Sequence, residues 1–325
     1  VLRTAVREPE KAKFPDGKGH ATEGLALASQ HPYWLVKRWV KAFGFEETQA
    51  LCDFNNGQPL LSVRANTLKA DRDTLLAALK EAGAEAEPSK WTPEGVIITA
   101  HGSLDRLQPL QDGLCQVQDE SSMLVAHVVD PQPGEFIIDC CSAPGGKTTH
   151  LAALMQDKGC ILAGDIYEHK LDRIQENADR LGITIIGTQL LDAREVGHSY
   201  PAQADRVLVD APCSGLGVLR RKPDARWNKT EAEINELPAL QHEIIESAAA
   251  AVKPGGILVY STCTIEPAEN QAIVEAFLAR HPQFQLEQTG DYLPVKRPEA
   301  MVQLYPQRDG TDGFFIARMR RLPEA

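Results

Sequence analysis

The sequence predicts an α/β protein with a mostly parallel sheet, preceded by a small α+β module and a helical segment. Three observations predict it. Between residues 111 and 325, short apolar runs alternate with helical patterns. Successive runs close on Asp139, Asp165, Asp192 and Asp210, and another ends near Thr262 and Cys263. The turn Cys141-Ser142-Ala143-Pro144-Gly145-Gly146-Lys147 joins the first run to a helix start, and its small residues let backbone N–H groups approach a ligand. In an open parallel sheet, ligands bind outside the C-terminal strand ends, where the strand order switches. One aspartate at a strand end usually caps a helix; four in succession beside such a turn favour a binding site.

The elements follow in order. Residues 1–58 read as helical and connective. Within them, Leu35, Val36, Trp39 and Val40 fall on one side of a helix and Lys37, Arg38 and Lys41 near the other, the pattern of a packed amphipathic helix. Residues 59–110 form the small module: a strand at 60–64, a helix at 71–82 stopped by Gly83, and a strand at 95–99. Arg64 and Asn66 end its first strand with a cation and an amide, which suit contact with an RNA backbone and fold-capping equally well. In residues 111–325, strands are expected at 136–138, 160–165, 184–191, 205–209, 256–260, 284–287 and 314–319. Leu171, Ile174, Ala178 and Leu181 mark an amphipathic helix ended by Gly182. Thr230 and Glu233 make a capping box, and Pro238 is expected to break or kink the helix that follows.

Length and composition set bounds. A chain of 325 residues with 43% hydrophobic and 24% charged residues is an ordinary globular protein of two domains, or one with an extension. It contains no run of about 18 apolar residues and no leader pattern, so a soluble, cytoplasmic protein without a membrane partner is expected. It begins at Val1 rather than methionine, which suggests a piece of a longer protein. The seven cysteines include no C-x-x-C pair and no zinc-like histidine spacing; reduced thiols and no structural metal are expected. The formal net charge of -11 argues against indiscriminate coating of nucleic acid but not against a local basic face. Residues 1–110 hold 14 cations and 14 anions, so the acidic excess, 20 against 31, lies entirely beyond them, which supports a boundary near Gln111.

Two nucleotide-handling readings of the turn compete. A phosphate loop requires G-x-x-x-x-G-K-[ST], and Gly146-Lys147-Thr148 supplies its end, but the position five before Gly146 is Cys141. A nucleoside-holding turn needs an acidic residue about 20 positions on for the ribose hydroxyls, and Asp165 meets that. Asp210-Ala211-Pro212-Cys213 and Thr262-Cys263 then follow two strands, so two thiols can face one pocket. Thiols beside a nucleoside site suit chemistry on a carbon that cannot attack unaided. A thiolate adding to C6 of a pyrimidine makes C5 nucleophilic toward a methyl group, and loss of the C5 proton and of the thiol completes the cycle. Amino-group methylation needs no such adduct, and an aromatic would be expected where this chain has Cys213.

Residues 139–148, Asp210-Ala211-Pro212-Cys213-Ser214-Gly215, Arg220-Arg221-Lys222-Pro223-Asp224, Tyr260-Ser261-Thr262-Cys263 and Asp309-Gly310-Thr311-Asp312-Gly313-Phe314-Phe315 together resemble the RNA cytosine-C5 methyltransferases of the NOL/NOP/Sun family. The resemblance spans about residues 110–320. It implies a class I, Rossmann-like methyltransferase fold using S-adenosylmethionine, with Cys141, Ser142, Ala143, Pro144, Gly145, Gly146 and Lys147 as the cofactor loop. It also implies that Asp165 holds the ribose, Asp192 lies by the adenine, and Asp210 sits between cofactor and target base. By the same resemblance Cys263 is the nucleophile and Cys213 assists product release; chemistry alone does not order the two. Lys147 is a candidate for the positive charge that favours a thiolate. The implied substrate is small-subunit ribosomal RNA, before assembly, for a monomeric enzyme. The resemblance further implies a preceding helical domain, with Val1-Leu2-Arg3 as the end of its last helix.

The loop after Cys213 is the expected RNA contact, with Arg220, Arg221, Lys222, Arg226 and Lys229 around Trp227. Cations neutralise phosphates and an aromatic stacks on an unpaired base; the target cytosine must leave its stack to reach a thiol. Two alternatives stay open: a cytosine-C5 enzyme acting on transfer RNA, which shares every motif, and an RNA-binding assembly factor with a vestigial core, which would require none of Cys213, Cys263, Asp210 or Lys147.

Overall fold

The structure, a computed structural model, describes Arg7 and residues 21–323. The expected helix end at Val1-Leu2-Arg3 lies outside the described residues. From residue 21 onward three helices follow one another, α1 (Ala21–Ser29), α2 (Tyr33–Phe43) and α3 (Phe45–Asn56). Leu35, Val36 and Trp39 are buried on α2 as its periodicity requires. They pack with Leu51 and Cys52 of α3 against Leu216, Leu219 and Ile234, so the helical segment braces the loop that follows Cys213.

A small antiparallel sheet follows, built from β1 (Leu61–Ala65), β2 (Glu85–Pro88), β3 (Gly95–Ala100) and β4 (Cys115–Val117) in the order β2-β3-β1-β4. Its helix α4 (Arg72–Glu81) is N-capped by the Asp71 side chain, which accepts from the Thr74 N–H, and buries Leu75 and Leu79. β2 and β4 were not foreseen. Glu-Ala-Glu-Pro and Cys-Gln-Val carry little strand signal, and pairing with β3 and β1 orders them. β4 also places the fourth strand of the small sheet beyond the expected division at residue 110.

The large sheet comprises β5 (Phe136–Asp139), β6 (Cys160–Asp165), β7 (Ile186–Leu190), β8 (Ala204–Asp210), β9 (Val252–Thr262), β10 (Phe284–Leu286), β11 (Met301–Leu304) and β12 (Phe314–Arg321). The order is β10-β12-β9-β8-β5-β6-β7, with β11 on β12. β5 to β9 run parallel, whereas β10, β11 and β12 pair antiparallel. The fold is thus α/β with a mostly parallel sheet, as expected. From β5 the chain winds outward through β6 and β7, then returns to β8 on the other side of β5. The switch in strand order lies between Asp139 and Asp210.

Helices α5 (Glu120–Val129), α6 (Gly146–Leu154), α7 (Glu168–Leu181), α8 (Glu231–Ala251) and α9 (Gln271–Arg280) cover the two faces. Leu171, Ile174, Ala178 and Leu181 are buried on α7, and Gly182 at φ 74° ends it in the left-handed conformation. Thr230 and Glu233 form the capping box of α8, but that helix runs through Pro238. One missing hydrogen bond costs about 3 kcal/mol. Burial of Ile234, Ile244 and Ile245, worth roughly 1.5–3 kcal/mol each, offsets it. No helix among the described residues is long and apolar enough to cross a membrane.

Candidate active site

The turn between β5 and α6 is fixed by bonds from both neighbours. Ser142 donates its N–H and Oγ–H to the Gly164 carbonyl, each at 2.9 Å, which ties the turn to β6. Asn177 of α7 donates to the Pro144 carbonyl at 3.0 Å. Gly145 sits at φ 96°, and a Cβ there would lie 3.2 Å from Ile174 Cα, so this position needs glycine for both conformation and space. Beneath the turn, the Thr148 hydroxyl donates to Asp139 Oδ2 at 2.7 Å. Asp139 Oδ1 is buried without a hydrogen-bond partner, and burial pushes the carboxyl up to about 7.

Beside the turn lies a cavity of about 470 Å³ lined by Asp165, Tyr167, Asp192, Pro212 and Ile244. Asp165 accepts from the Tyr167 N–H at 3.0 Å and has Lys170 Nζ at 3.7 Å. Asp192 caps a short turn, and hydrogen bonds from Arg194 hold its carboxyl below the usual range. A second cavity, about 260 Å³, is lined by Asp139, Lys147, Asp210, Cys263, Asp312 and Phe314. The two cavities share Cys141, Ala143 and Asp210, so a reactive group in one can reach a target in the other at this wall.

Strands β8 and β9 deliver the thiols. Cys213 Sγ lies 3.4 Å from Cys263 Sγ. The hydrogen bond from Cys213, with Lys147 and Lys222 nearby, holds the Cys263 thiol below its ordinary value against burial and Asp210. The same bond and burial push Cys213 well up. With Cys213 as the S–H donor, the contact favours a thiolate at Cys263. Lys147 donates to Asp210 Oδ2 at 2.7 Å and stands 5.1 Å from the Phe314 ring centroid, while Ser261 donates to Asp210 Oδ1 at 2.8 Å. Burial alone would lower the Lys147 pKa, but Asp210 raises it, keeping the lysine cationic.

Several expected RNA contacts are turned inward. Arg64 is buried, donating to Gln118 Oε1 at 2.8 Å and Thr149 Oγ1 at 3.0 Å, and Asn66 donates to the carbonyls of Gly113 and Leu181. Of the two roles left open for them, the structure gives the fold-bonding one. Arg226 is also buried, holding Asn55, Asn56 and Gln30 of the helical segment. Arg220 stacks on Phe54, and Arg221 bonds Asp312, Asp119 and the Leu60 carbonyl. Buried guanidinium groups are stable only when most of their donors are paired, and here protein groups take them apart from the Nε atoms of Arg220 and Arg226. Of this set Lys222 is exposed, at the rim of the second cavity, and Trp227 is 60% exposed nearby.

Sequence reasoning missed the supports of the thiol pair and a buried cluster. Glu269 accepts from the Ser214 N–H at 2.8 Å and from Gln241 at 2.9 Å, bracing the loop behind Cys213. Glu94 Oε1 lies 2.9 Å from His127 Nε2 and 3.0 Å from His150 Nε2. Such a trio is the group of described residues able to hold a metal ion. Burial and Arg64 hold His150 down at about 3, and a dication would add to the fixed charge of Arg64, so the cluster reads as a link between the small module and α6. Its spacing in sequence carries no signal.

A nucleoside-sized cavity at the switch point, meeting a thiol-lined cavity, defines a class I methyltransferase fold and site. The comparisons agree. The family profile "16S rRNA methyltransferase RsmB/F" matches residues 126–320, and that of the RsmF/B-like ferredoxin-like domain matches 31–105. A probable ribosomal RNA small subunit methyltransferase B of Bacillus subtilis is 43% identical over 99% of this chain and 72% of the relative. The corresponding protein of Serratia proteamaculans is 39% identical over 90% of this chain and 66% of its own length. Among solved structures, a methyltransferase homolog from Pyrococcus horikoshii superposes with a TM-score of 0.80 at 29% identity, over 94% of this chain and all of that one. NSun6 from the same organism, solved with the S-adenosylmethionine analogue SFG, gives 0.79 at 25% identity over 89% and 97%. The chain belongs to the RsmB/F family of 16S rRNA methyltransferases.

Proposed function

We propose that the protein transfers a methyl group from S-adenosylmethionine to C5 of a cytosine in small-subunit ribosomal RNA, before assembly, through a covalent adduct between Cys263 and C6. The observation that carries this reading is the thiol pair, 3.4 Å apart, with Cys263 lining the second cavity, which meets the first at Asp210. Methylation of an amino group would need neither thiol.

The residues fit the cofactor. The larger cavity is of ligand size. Asp165 suits ribose hydroxyls and Asp192 borders the same cavity, while the unpartnered, buried Asp139 Oδ1, on the adjoining second cavity, suits a cationic ligand group. When bound, S-adenosylmethionine supplies an electrophilic methyl group. Cys263 attacks C6 as a thiolate, and its electron pair moves the ring's π density toward C5. Lys147 and Asp210, joined at 2.7 Å, face the same cavity and orient the base. C5 takes the methyl group and gives its proton to water, and the electron pair of that C–H bond restores the ring double bond as the C6–S bond breaks and returns the thiolate. Cys213 assists that release. The small module and helical segment serve as the RNA-presenting part.

Tritium transfer from labelled S-adenosylmethionine to deproteinised small-subunit rRNA tests this. Wild type incorporates label, Cys263→Ala does not, and Cys213→Ala accumulates a protein–RNA adduct on a denaturing gel. Incorporation that survives Cys263→Ala and fails with Cys213→Ala would reverse the thiol roles.

A further inference from the structure

A third feature lies outside both cavities. A groove of about 670 Å³ runs between α2 and the chain that follows each catalytic cysteine. One wall is α2, with Tyr33, Trp34, Lys37 and Lys41; the other is Glu231, at the start of α8, and Glu266 to Ala268. Glu266 comes three residues after Cys263, which puts it within about 11 Å along the chain. Glu231 ends the loop that carries Lys222 and Trp227. Both segments of that wall thus belong to the loops that follow the two thiols in the chain.

Its chemistry is that of a nucleic-acid track. Tyr33 is 49% exposed although it starts a well-packed helix, so its ring serves no core. Lys37 and Lys41 are exposed, one helical turn apart on the same face, with no ion-pair partner among the described residues. Glu266 on the facing wall is already neutralised by Arg38, whose Nε lies 2.6 Å away, and Glu231 stands 3.6 Å from the same guanidinium. Three cations, Lys37, Arg38 and Lys41, face the two carboxylates Glu231 and Glu266, which leaves the groove net positive beside an open aromatic face, in a chain whose net charge is -11. Charge complementarity thus selects an anion with flat, stackable groups over a protein segment.

We propose that this groove holds the single-stranded RNA flanking the target cytosine, with phosphates on Lys37 and Lys41 and a base against Tyr33. The proposal rests on the rRNA-methylating reading and adds where the strand runs as the target base turns toward Cys263. Stacking on Tyr33 tolerates any base, so the groove holds the strand without reading its sequence.

The test compares Lys37→Ala/Lys41→Ala with the charge-matched control Lys158→Ala/Lys253→Ala, whose lysines lie at the opposite, N-terminal ends of the parallel strands. Both are assayed with deproteinised small-subunit rRNA across a salt series. Each phosphate contact to a single strand contributes about 0.7 to the slope of log K against log salt, so the groove variant should lose about 1.4 from it. At 0.1 M salt that corresponds to a KM for RNA about 25-fold higher, with kcat at saturating RNA and affinity for S-adenosylmethionine unchanged. The control keeps the wild-type slope. Tyr33→Ala should weaken RNA binding about tenfold by a salt-independent amount. An unchanged slope and KM in the groove variant would overturn the proposal. So would normal use of naked rRNA with a loss confined to ribosomal particles, because the groove would then take a protein. A wild type that binds rRNA but transfers no methyl group defeats the methylation reading instead, and the slopes still decide the groove.

Discussion

Cys213 Sγ and Cys263 Sγ are in hydrogen-bond contact across 3.4 Å, although 50 residues separate the two in the chain. Strands β8 and β9 are parallel neighbours in register, Asp210 beside Ser261, so the residues just past their ends are forced together. With Cys213 as the donor, that contact lowers the Cys263 pKa, while the same contact and burial keep that of Cys213 high.

Removing the donor should therefore raise the Cys263 pKa. In Cys213→Ala, alkylation of Cys263 by iodoacetamide, followed by mass spectrometry across a pH series, should have its midpoint displaced to higher pH than in wild type. A midpoint that stays put would mean that Lys147 and Lys222 alone hold the thiolate.

Lys147 is paired with Asp210 at 2.7 Å in a largely dry site. Lys147→Met leaves that carboxylate short of a charged partner, which costs about 2 kcal/mol, or roughly 30-fold in kcat. The KM for RNA should change little, since Lys147 meets the target base inside the cavity and no flanking phosphate. Steady-state kinetics separate the two, and a change confined to KM would contradict the assigned position.

Asp139 predicts a pH dependence with a definite sign. Its folded pKa, about 7, lies above the ordinary carboxylate value near 3.9. Between those values the folded state holds a proton that the unfolded state has lost, so stability falls as pH rises through this window, by on the order of 4 kcal/mol in all. Asp139→Asn should raise the melting temperature of the unliganded protein at pH 8 more than at pH 4. Affinity for a cationic ligand should increase from pH 6 to 8 in wild type and stay flat in Asp139→Asn. Calorimetric titration at three pH values measures this.

Arg64 and Gly145 report on structure rather than on RNA. Arg64→Ala strands Gln118 Oε1 and Thr149 Oγ1 in the interior and should cost about 3 kcal/mol in urea unfolding, with no change in the salt slope of RNA binding. Gly145→Ala places a Cβ against Ile174 at a positive φ and should cost about 1–2 kcal/mol along with cofactor affinity. A lowered salt slope in Arg64→Ala would restore that residue to the RNA surface.

Much was legible because it is local. Periodicity along α7, the Gly182 terminus, the capping box at Thr230 and the aspartates closing β5, β6 and β8 are each set by residues within a few positions of one another. The small-residue turn was legible for the same reason, since a glycine at φ 96° answers a purely local demand. Chain order also determined that Cys213 and Cys263 would leave neighbouring parallel strands on the same side. Tertiary structure alone decided the rest. Arg64, Arg220, Arg221 and Arg226 look alike in sequence as cations of an RNA face, yet partners 54 to 196 positions away draw three of them into ion pairs or buried bonds and stack Arg220 on Phe54. The meeting of Glu94, His127 and His150, the passage of α8 through Pro238 and the short strands β2, β4 and β11 depend likewise on what packs against them. A charge is placed by where its hydrogen bonds can be satisfied at least desolvation cost, and that is a property of the assembled fold rather than of the residue.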